Sequence, residues 1–112
     1  MVHVPKPTIA PEEVLIRQRV IALNLIDAKQ RDLGILISRW PHVLGVEGAG
    51  VVEAMGSDVR ELQPSDEVIG WEGSGAHEVC WGGAFQERVA VPAPFVAKKP
   101  KNISLEEAAS LP

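Results

Sequence analysis

A glycine-rich block over Gly45–Gly56 constrains the fold of this chain more than any other stretch. It has the sequence Gly-Val-Glu-Gly-Ala-Gly-Val-Val-Glu-Ala-Met-Gly. Glycine permits positive φ and close packing, whereas Val51 and Val52 favour a pleated strand. The block therefore predicts a turn that runs into a β-strand. It is not a dinucleotide-binding fingerprint, because Gly-x-Gly-x-x-Gly starting at Gly48 needs a glycine where Glu53 stands.

Further strand signals follow one another along the chain, with turn signals between them. The predicted strands cover residues 14–23, 50–54, 67–71, 84–91 and 95–98. Turns rich in Pro, Gly, Ser and Asp are predicted at residues 11–13, 56–58 and 63–66. Residues 72–83 hold four glycines and are predicted to form one flexible loop. Short strands at this spacing predict a mainly β fold, a barrel or a sandwich.

Two short helices are predicted beside the strands. Asn24 is a suitable N-cap for a helix through Arg31, and Gly34 is suited to end it. Ser104, with Glu107 three residues later, forms the capping-box pattern for a second helix.

Composition limits the class of protein. The chain has 112 residues, 46% of them hydrophobic and 23% charged, which is typical of one globular domain. Its net charge of −4, with no basic cluster longer than Lys98-Lys99, disfavours nucleic-acid binding. The single cysteine, Cys80, excludes an internal disulfide and a four-cysteine zinc lobe, and it favours a reducing compartment. No apolar stretch reaches membrane-spanning length, so we expect a cytoplasmic protein without a membrane partner.

Five stretches of the sequence together carry a family resemblance. They lie at residues 22–29, 41–52, 63–68, 83–87 and 104–109. In this order they resemble the N-terminal GroES-like domain of medium-chain dehydrogenases and reductases, over about residues 12–112. The nearest resemblance is to fungal zinc-independent enoyl reductases and quinone oxidoreductase-like proteins. It implies a partly open GroES-like β-barrel with short helices.

The resemblance also bears on metal binding. In zinc enzymes of this family, a Cys stands at the position of Asn24 and a His at the position of Val46. An Asn amide is a poor zinc ligand and a Val side chain has no donor atom. We therefore expect no catalytic zinc. His42 could substitute as a ligand and Glu47 could act as a general base, but a structural role is favoured for each, so no catalytic residue is assigned.

In the zinc-free branch the resemblance implies NADPH as hydride donor and an activated C=C or a quinone as acceptor, with neither acceptor preferred. It places the segment Ile26, Asp27, Ala28 and Lys29 beside the cofactor, where Lys29 would pair with a phosphate or an amide. The alternative is that Asp27 and Lys29 are solvated helix residues.

Several other side chains could be functional, but a structural role is favoured for each. Cys80 and His77 form no recognisable nucleophile pair, because no third group orients them. The tryptophans are expected to fill core and rim. The basic cluster Lys98, Lys99 and Lys101 is expected to be a solvated turn.

Length is the last departure from the family. The resemblance implies a nucleotide-binding Rossmann domain directly after residues 104–112, and a further strand ahead of the turn at residues 11–13. Residues 1–112 are thus interpreted as one GroES-like domain truncated at both ends. We expect the isolated chain to bind NADPH weakly and to be inactive, and we expect the face left bare to promote aggregation or dimerisation.

Three functions remain open at this point. The first is the N-terminal portion of a reductase, which takes a small-molecule substrate once a Rossmann domain completes it. The second is a non-enzymatic remnant that binds a partner such as a full-length relative or a polyketide synthase. The third, a ring subunit like those of co-chaperonins, is disfavoured because no mobile loop with a hydrophobic tip is evident. Whether the chain is an enzyme by itself is therefore undecided.

Overall fold

The computed structural model describes residues 7–34, 44–71 and 84–110, apart from the side chains of Gln30 and Trp71. Within these ranges the chain forms five strands, two α-helices and one 3-10 turn. In chain order they are β1 (Glu13–Ile21), α1 (Leu25–Leu33), β2 (Glu47–Met55), β3 (Glu67–Trp71), β4 (Arg88–Pro92), the 3-10 turn Ala93–Phe95, β5 (Val96–Lys98) and α2 (Leu105–Ala109). The predicted mainly β fold is confirmed.

The five strands form one antiparallel sheet in the order β4-β1-β2-β3-β5. Strand β1 lies between β2 and β4, with Ile16 opposite Val52 on one side and Val89 on the other. Its register with β2 shifts between Leu15 and Ile16 and again between Gln18 and Val20. Such irregularities increase local twist and curvature.

The main core lies against strands β1, β2, β3 and β4. It contains seven buried side chains: Val14, Ile16, Val52, Leu62, Val68, Val89 and Val91. Six of the seven are β-branched, the shape that packs best on a pleated surface. The sheet is therefore fixed by its aliphatic side chains.

A second, smaller core joins α2 to the sheet. Ala108 and Ala109 of α2 are buried together with Ala49 of β2. The short alanine side chains allow the helix to approach the strand closely. The predicted capping box is present, since Glu107 N donates to Ser104 Oγ and Ser104 N donates to Glu107 Oε1, both at 3.1 Å. The start of α2 is thus fixed as the sequence predicts.

The glycine block has a turn followed by a strand, as predicted, but the strand begins at Glu47 and not near Gly50. Two of the glycines are needed for this arrangement. Gly45 adopts φ +104°, and a side chain there would collide with the ring of Phe85. At Gly50 a Cβ would overlap the carbonyl oxygen of Arg17 on β1 and lie 3.0 Å from Ile16 Cγ2. Glycine at position 50 therefore allows β1 and β2 to approach each other closely.

Several predictions need correction. The strand predicted over residues 14–23 ends at Ile21. The strand predicted over residues 84–91 begins only at Arg88, because the backbone N–H groups of Ala84 and Phe85 donate to the turn residues Gly45 and Leu44 instead. The strand predicted from residue 95 begins one residue later, since the chain there is still in the 3-10 turn.

A further correction concerns Lys99. It was predicted to lie in a solvated turn, but its side chain is only 7% exposed. Its ammonium group donates to the carbonyl oxygens of Pro100 and Ile103, at 3.0 and 2.5 Å, and lies 3.5 Å from Glu67 Oε1. Lys99 therefore stabilises the connection between β5 and α2.

Candidate cofactor-facing site

The N-terminal end of α1 is built around Asn24, the residue before the helix. The carbonyl oxygen of Asn24 accepts from Asp27 N at 3.0 Å, and Asn24 N donates to Asp27 Oδ2 at 2.8 Å. The helix ends at Leu33, before Gly34 at φ +68°. The predicted helix and its boundaries are confirmed. The side chain that caps it, however, is Asp27 and not Asn24.

The side chain of Asn24 is engaged elsewhere, with the first residue of β2. Asn24 Nδ2 donates to Glu47 Oε1 at 2.8 Å. Glu47 is 5% exposed and follows Val46, which is also buried. The two positions at which the resemblance implies zinc ligands therefore lie close together, one bonded to Glu47 and the other adjacent to it. Neither fits zinc, because the Asn24 nitrogen donates a hydrogen bond and Val46 has no lone pair.

Two buried carboxylates lie on either side of Asn24, namely Asp27 and Glu47. Each uses one oxygen in a hydrogen bond to Asn24. Among the described residues, no donor reaches the second oxygen of either, Asp27 Oδ1 or Glu47 Oε2. A buried acceptor without a partner costs about 1–3 kcal/mol or more when charged. A bound molecule with N–H or O–H groups would supply the missing donors.

The segment predicted to face the cofactor forms the first turns of α1. Ile26 and Ala28 are half-buried, Asp27 is buried and Lys29 is exposed. Within the described ranges no ion pair involves the Lys29 ammonium group. The alternative that Asp27 is a solvated helix residue is wrong, because only 6% of it is exposed. Cofactor contact by the four residues stays a prediction.

Large apolar side chains lie at the surface near this site. Leu23 and Leu25, on either side of Asn24, are 79% and 73% exposed, and Leu33 at the end of α1 is 72% exposed. These leucines add apolar area to the surface around Asn24.

A groove between described residues lies elsewhere in the molecule. It has a volume of about 680 Å³ and runs between residues 58–62 and residues 93–98. Its charged residues are of mixed sign, two acidic and two basic. Neither Asn24 nor Glu47 contributes to it, so it is separate from the candidate site.

Several residues considered from the sequence lie outside the described residues. They are Trp40, His42, His77, Cys80 and Trp81. In the part of the chain that is described, no group of three or more His, Cys, Asp or Glu side chains could hold a metal ion. No helix there is long and apolar enough to span a bilayer.

The bond between Asn24 and Glu47 was not found from the sequence. The sequence does carry a signal for it, because Glu47 is the one charged residue between Gly45 and Val52. A lone acid within a stretch of glycine, alanine and valine is expected to be buried and hydrogen-bonded. The partner is 23 residues away and becomes identifiable only once β1 and β2 are paired.

Comparison with known proteins gives a consistent result. The model of the alcohol dehydrogenase GroES-like domain matches residues 10–101. Among curated proteins, the chain is 31% identical to dehydrogenase orsE of Emericella nidulans over 108 residues. It is 35% identical over 108 residues to lovC of Aspergillus terreus, the enoyl reductase component of lovastatin nonaketide synthase. It is 37% identical over 107 residues to SACOL2177 of Staphylococcus aureus, a zinc-type alcohol dehydrogenase-like protein. Each match covers 96% of this chain but only 31%, 29% and 30% of the relative.

Solved structures agree with this match and confirm the predicted GroES-like fold. The quinone oxidoreductase of Coxiella burnetii superposes with a TM-score of 0.86 at 31% identity, over 99% of this chain and 35% of that one. The quinone oxidoreductase of Escherichia coli, solved with NADPH, superposes with a TM-score of 0.81 at 26% identity, over 99% of this chain and 32% of that one. The chain thus spans about a third of the length of these relatives.

Proposed function

We propose a function for this chain on the basis of its family. The chain belongs to the alcohol dehydrogenase GroES-like domain family, within the medium-chain dehydrogenases and reductases. It corresponds to the N-terminal domain of a reductase of that family. The finer proposal is a zinc-independent reductase that uses NADPH to reduce an activated C=C bond or a quinone.

One observation carries the zinc-independent part of the proposal. Asn24 donates its side-chain N–H to Glu47, and Val46 offers no donor atom. A zinc enzyme needs thiolate, imidazole or carboxylate ligands in an open tetrahedral arrangement. Hydride transfer from a nicotinamide needs no metal, since the cofactor carries the chemistry and the protein orients the reactants.

The residues of α1 fit a nicotinamide cofactor in three ways. The exposed ammonium group of Lys29 can pair with a phosphate. The free oxygen of buried Asp27 can accept from an N–H or O–H of the cofactor. Ile26 and Ala28 can contribute apolar surface. NADPH, when bound, supplies the hydride, and these residues position it and exclude water.

The names of relatives support the choice of cofactor and acceptor without deciding the acceptor. The Escherichia coli quinone oxidoreductase was solved with NADPH, and lovC is an enoyl reductase component. Quinone and enoyl reduction are both retained for this protein. A cytoplasmic location fits either reaction.

We expect the 112 residues alone to be inactive, with NADPH affinity no tighter than roughly millimolar. The sequence lacks the glycine fingerprint that holds a pyrophosphate at a helix N-terminus. Isothermal titration calorimetry with NADPH measures this directly. A dissociation constant in the low micromolar range would contradict it.

The reductase proposal is tested by following NADPH oxidation with benzoquinone and with an α,β-unsaturated ketone as acceptors. The protein is the longest product that carries these 112 residues, if the reading frame continues into a glycine-rich βαβ unit. Turnover with either acceptor that persists in excess chelator is the expected result. Loss of turnover on chelation, with recovery on adding zinc, would contradict zinc independence.

The exposed leucines favour a second candidate function, an interaction module without activity. Leu23, Leu25 and Leu33 would bind a full-length relative or a polyketide synthase subunit. A reading frame that stops at residue 112 would support this candidate over the first. Analytical ultracentrifugation tests the exposed face itself, because self-association at high concentration is expected and a monodisperse monomer would count against it.

A further inference from the structure

We propose that Glu47 is a positioning residue, whose buried carboxylate orients Asn24 and, through it, the cofactor-facing segment 26–29 of α1. The role of that segment rests on the proposed function. The link between Glu47 and α1 rests on hydrogen bonds within the chain.

Glu47 binds the connection between β1 and α1 at two points. Its backbone carbonyl oxygen accepts from Ala22 N at 3.3 Å, and its side-chain Oε1 accepts from Asn24 Nδ2 at 2.8 Å. The three residues that join the strand to the helix are therefore attached to β2 by one residue. Because Glu47 is itself in β2 and pairs with β3, its position is fixed by the sheet.

The next link runs from Asn24 into α1. Asn24 N donates to Asp27 Oδ2, and Asp27 N donates to the Asn24 carbonyl oxygen. These reciprocal bonds set where the helix begins and its first turn. A shift of the Asn24 side chain away from Glu47 would therefore move Asp27 and its neighbours on the same turn.

Between the described helices and strands, helix α1 makes few contacts with the sheet. Of the two described helices, α2 is the one that packs extensively on β1, β2 and β3. Two leucines of α1, Leu25 and Leu33, face water. The hydrogen bonds at Asn24 therefore determine the position of α1 to a greater extent than they would if the helix packed on a hydrophobic core.

The experiment compares hydrogen exchange of the α1 backbone amides with that of α2 amides in the 112-residue chain. Glu47→Ala removes the acceptor, whereas Glu47→Gln keeps a carbonyl oxygen that can accept from Asn24. Glu53→Ala is the matched control, since Glu53 is a carboxylate of the same strand that pairs with Arg88 of β4 at 2.9 Å.

We expect protection of α1 amides to fall about tenfold or more in E47A, as a hydrogen bond to a charged group is lost, with α2 protection unchanged. E47Q should restore most of the protection of α1. E53A should leave the ratio of α1 to α2 protection as in the wild type. Asn24→Ala removes the same bond from its other side, and it replaces E47A if that variant does not fold.

A second measurement connects the link to the cofactor. Millimolar NADPH is added to the ¹⁵N-labelled chain, and backbone shift changes at residues 26–29 are followed. If Glu47 is a positioning residue, we expect clear shift changes in the wild type and E47Q, and changes at least about fivefold smaller in E47A. Protection of the α2 amides should be the same in all three proteins.

The outcomes separate this inference from the proposed function. Unchanged α1 protection in E47A and N24A, or an equal fall in α1 and α2, overturns the positioning role. Absence of any NADPH-induced shift at residues 26–29 in the wild type counts against the proposed function, while the exchange result still decides whether Glu47 positions α1. Equal NADPH shifts in E47A and wild type overturn the effect on the cofactor.

Discussion

Replacement of Asp27 by Asn tests whether its buried carboxylate serves function more than stability. Asp27 is 6% exposed; Oδ2 accepts from Asn24 N, and Oδ1 has no donor among the described residues. Asn keeps an oxygen for the bond to Asn24 and replaces the free oxygen by an NH2 group. The change therefore removes a buried charge while it preserves the cap of α1.

The magnitude follows from two opposing contributions. A charged hydrogen bond stabilises by about 1 kcal/mol more than a neutral one, and this difference is lost in Asp27→Asn. An unpartnered buried charged oxygen costs more than a neutral polar group, which costs about 1–3 kcal/mol, and only this excess is removed, because the new NH2 group is also buried without a partner. The net expectation is a free energy of unfolding raised by about 1 kcal/mol, or roughly 4 °C in Tm for a domain of this size. Asp27→Ala, which also loses the cap, should be less stable than wild type by about 1 kcal/mol.

The assay is urea unfolding of the three proteins, followed by NADPH titration of the folded ones. We expect Asp27→Asn to be the most stable and to show NADPH-induced shifts at residues 26–29 about tenfold weaker than wild type, because a donor replaces the acceptor. Such an exchange of stability for binding is typical of functional sites. Equal destabilisation by Asn and Ala, or unchanged NADPH-induced shifts in Asp27→Asn, would show that the Asp27 carboxylate does not serve NADPH binding at the expense of stability.

Other substitutions test the fold. Gly50→Ala should lower the free energy of unfolding by about 1–3 kcal/mol in urea denaturation, because the new methyl group overlaps the Arg17 carbonyl oxygen. Stability equal to wild type would contradict the close approach of β1 and β2. Ser104→Ala should cost about 1 kcal/mol through loss of a capping bond, and increased exchange of α2 amides is the check, whereas unchanged exchange would argue against the cap. Arg31 holds the pKa of exposed Asp32 below its usual 3.8, by a hydrogen bond and by its charge. Any stabilisation by the pair is therefore complete above pH 3.8, and it is lost as the pH falls through the lowered pKa. Asp32→Asn should change Tm by less than about 2 °C at neutral pH, and a larger drop in a melting series would contradict the small effect expected of an exposed pair.

Local signals in the sequence were sufficient for most elements of this fold. Strand β3 and both helices lie where β-branched runs, the capping box and Gly34 placed them. These features depend on neighbours within a few residues, so their physical cause is visible in the sequence. The sheet order depends on long-range pairing and was not predicted, since the resemblance to a known family implied only a partly open β-barrel.

The misplaced elements share a cause in tertiary contacts. Ala84 and Phe85 alternate as a strand would, yet their N–H groups are taken by the turn at Leu44 and Gly45. Lys99 belongs to a basic cluster that suggests solvation, yet two carbonyl oxygens and Glu67 surround its ammonium group. Neither set of partners can be inferred from adjacent residues.

The candidate site was predictable in part. Missing zinc ligands at Asn24 and Val46 could be read from the sequence once the family was recognised. That Asn24 instead donates to Glu47, and that Glu47 and Asp27 each keep a free buried oxygen, depends on how β2 meets the start of α1. This arrangement turns a site lacking metal ligands into a polar site with acceptors to offer.

NADPH titration of the ¹⁵N-labelled wild-type chain, observed by nuclear magnetic resonance, tests most directly whether α1 faces the cofactor. We predict fast-exchange shift changes centred on Ile26–Lys29, with a dissociation constant no tighter than roughly millimolar. Saturation at low micromolar NADPH would contradict the weak affinity expected of this portion alone. Shift changes confined to other regions, or absent at millimolar NADPH, would contradict the assignment of α1 as the cofactor-facing segment.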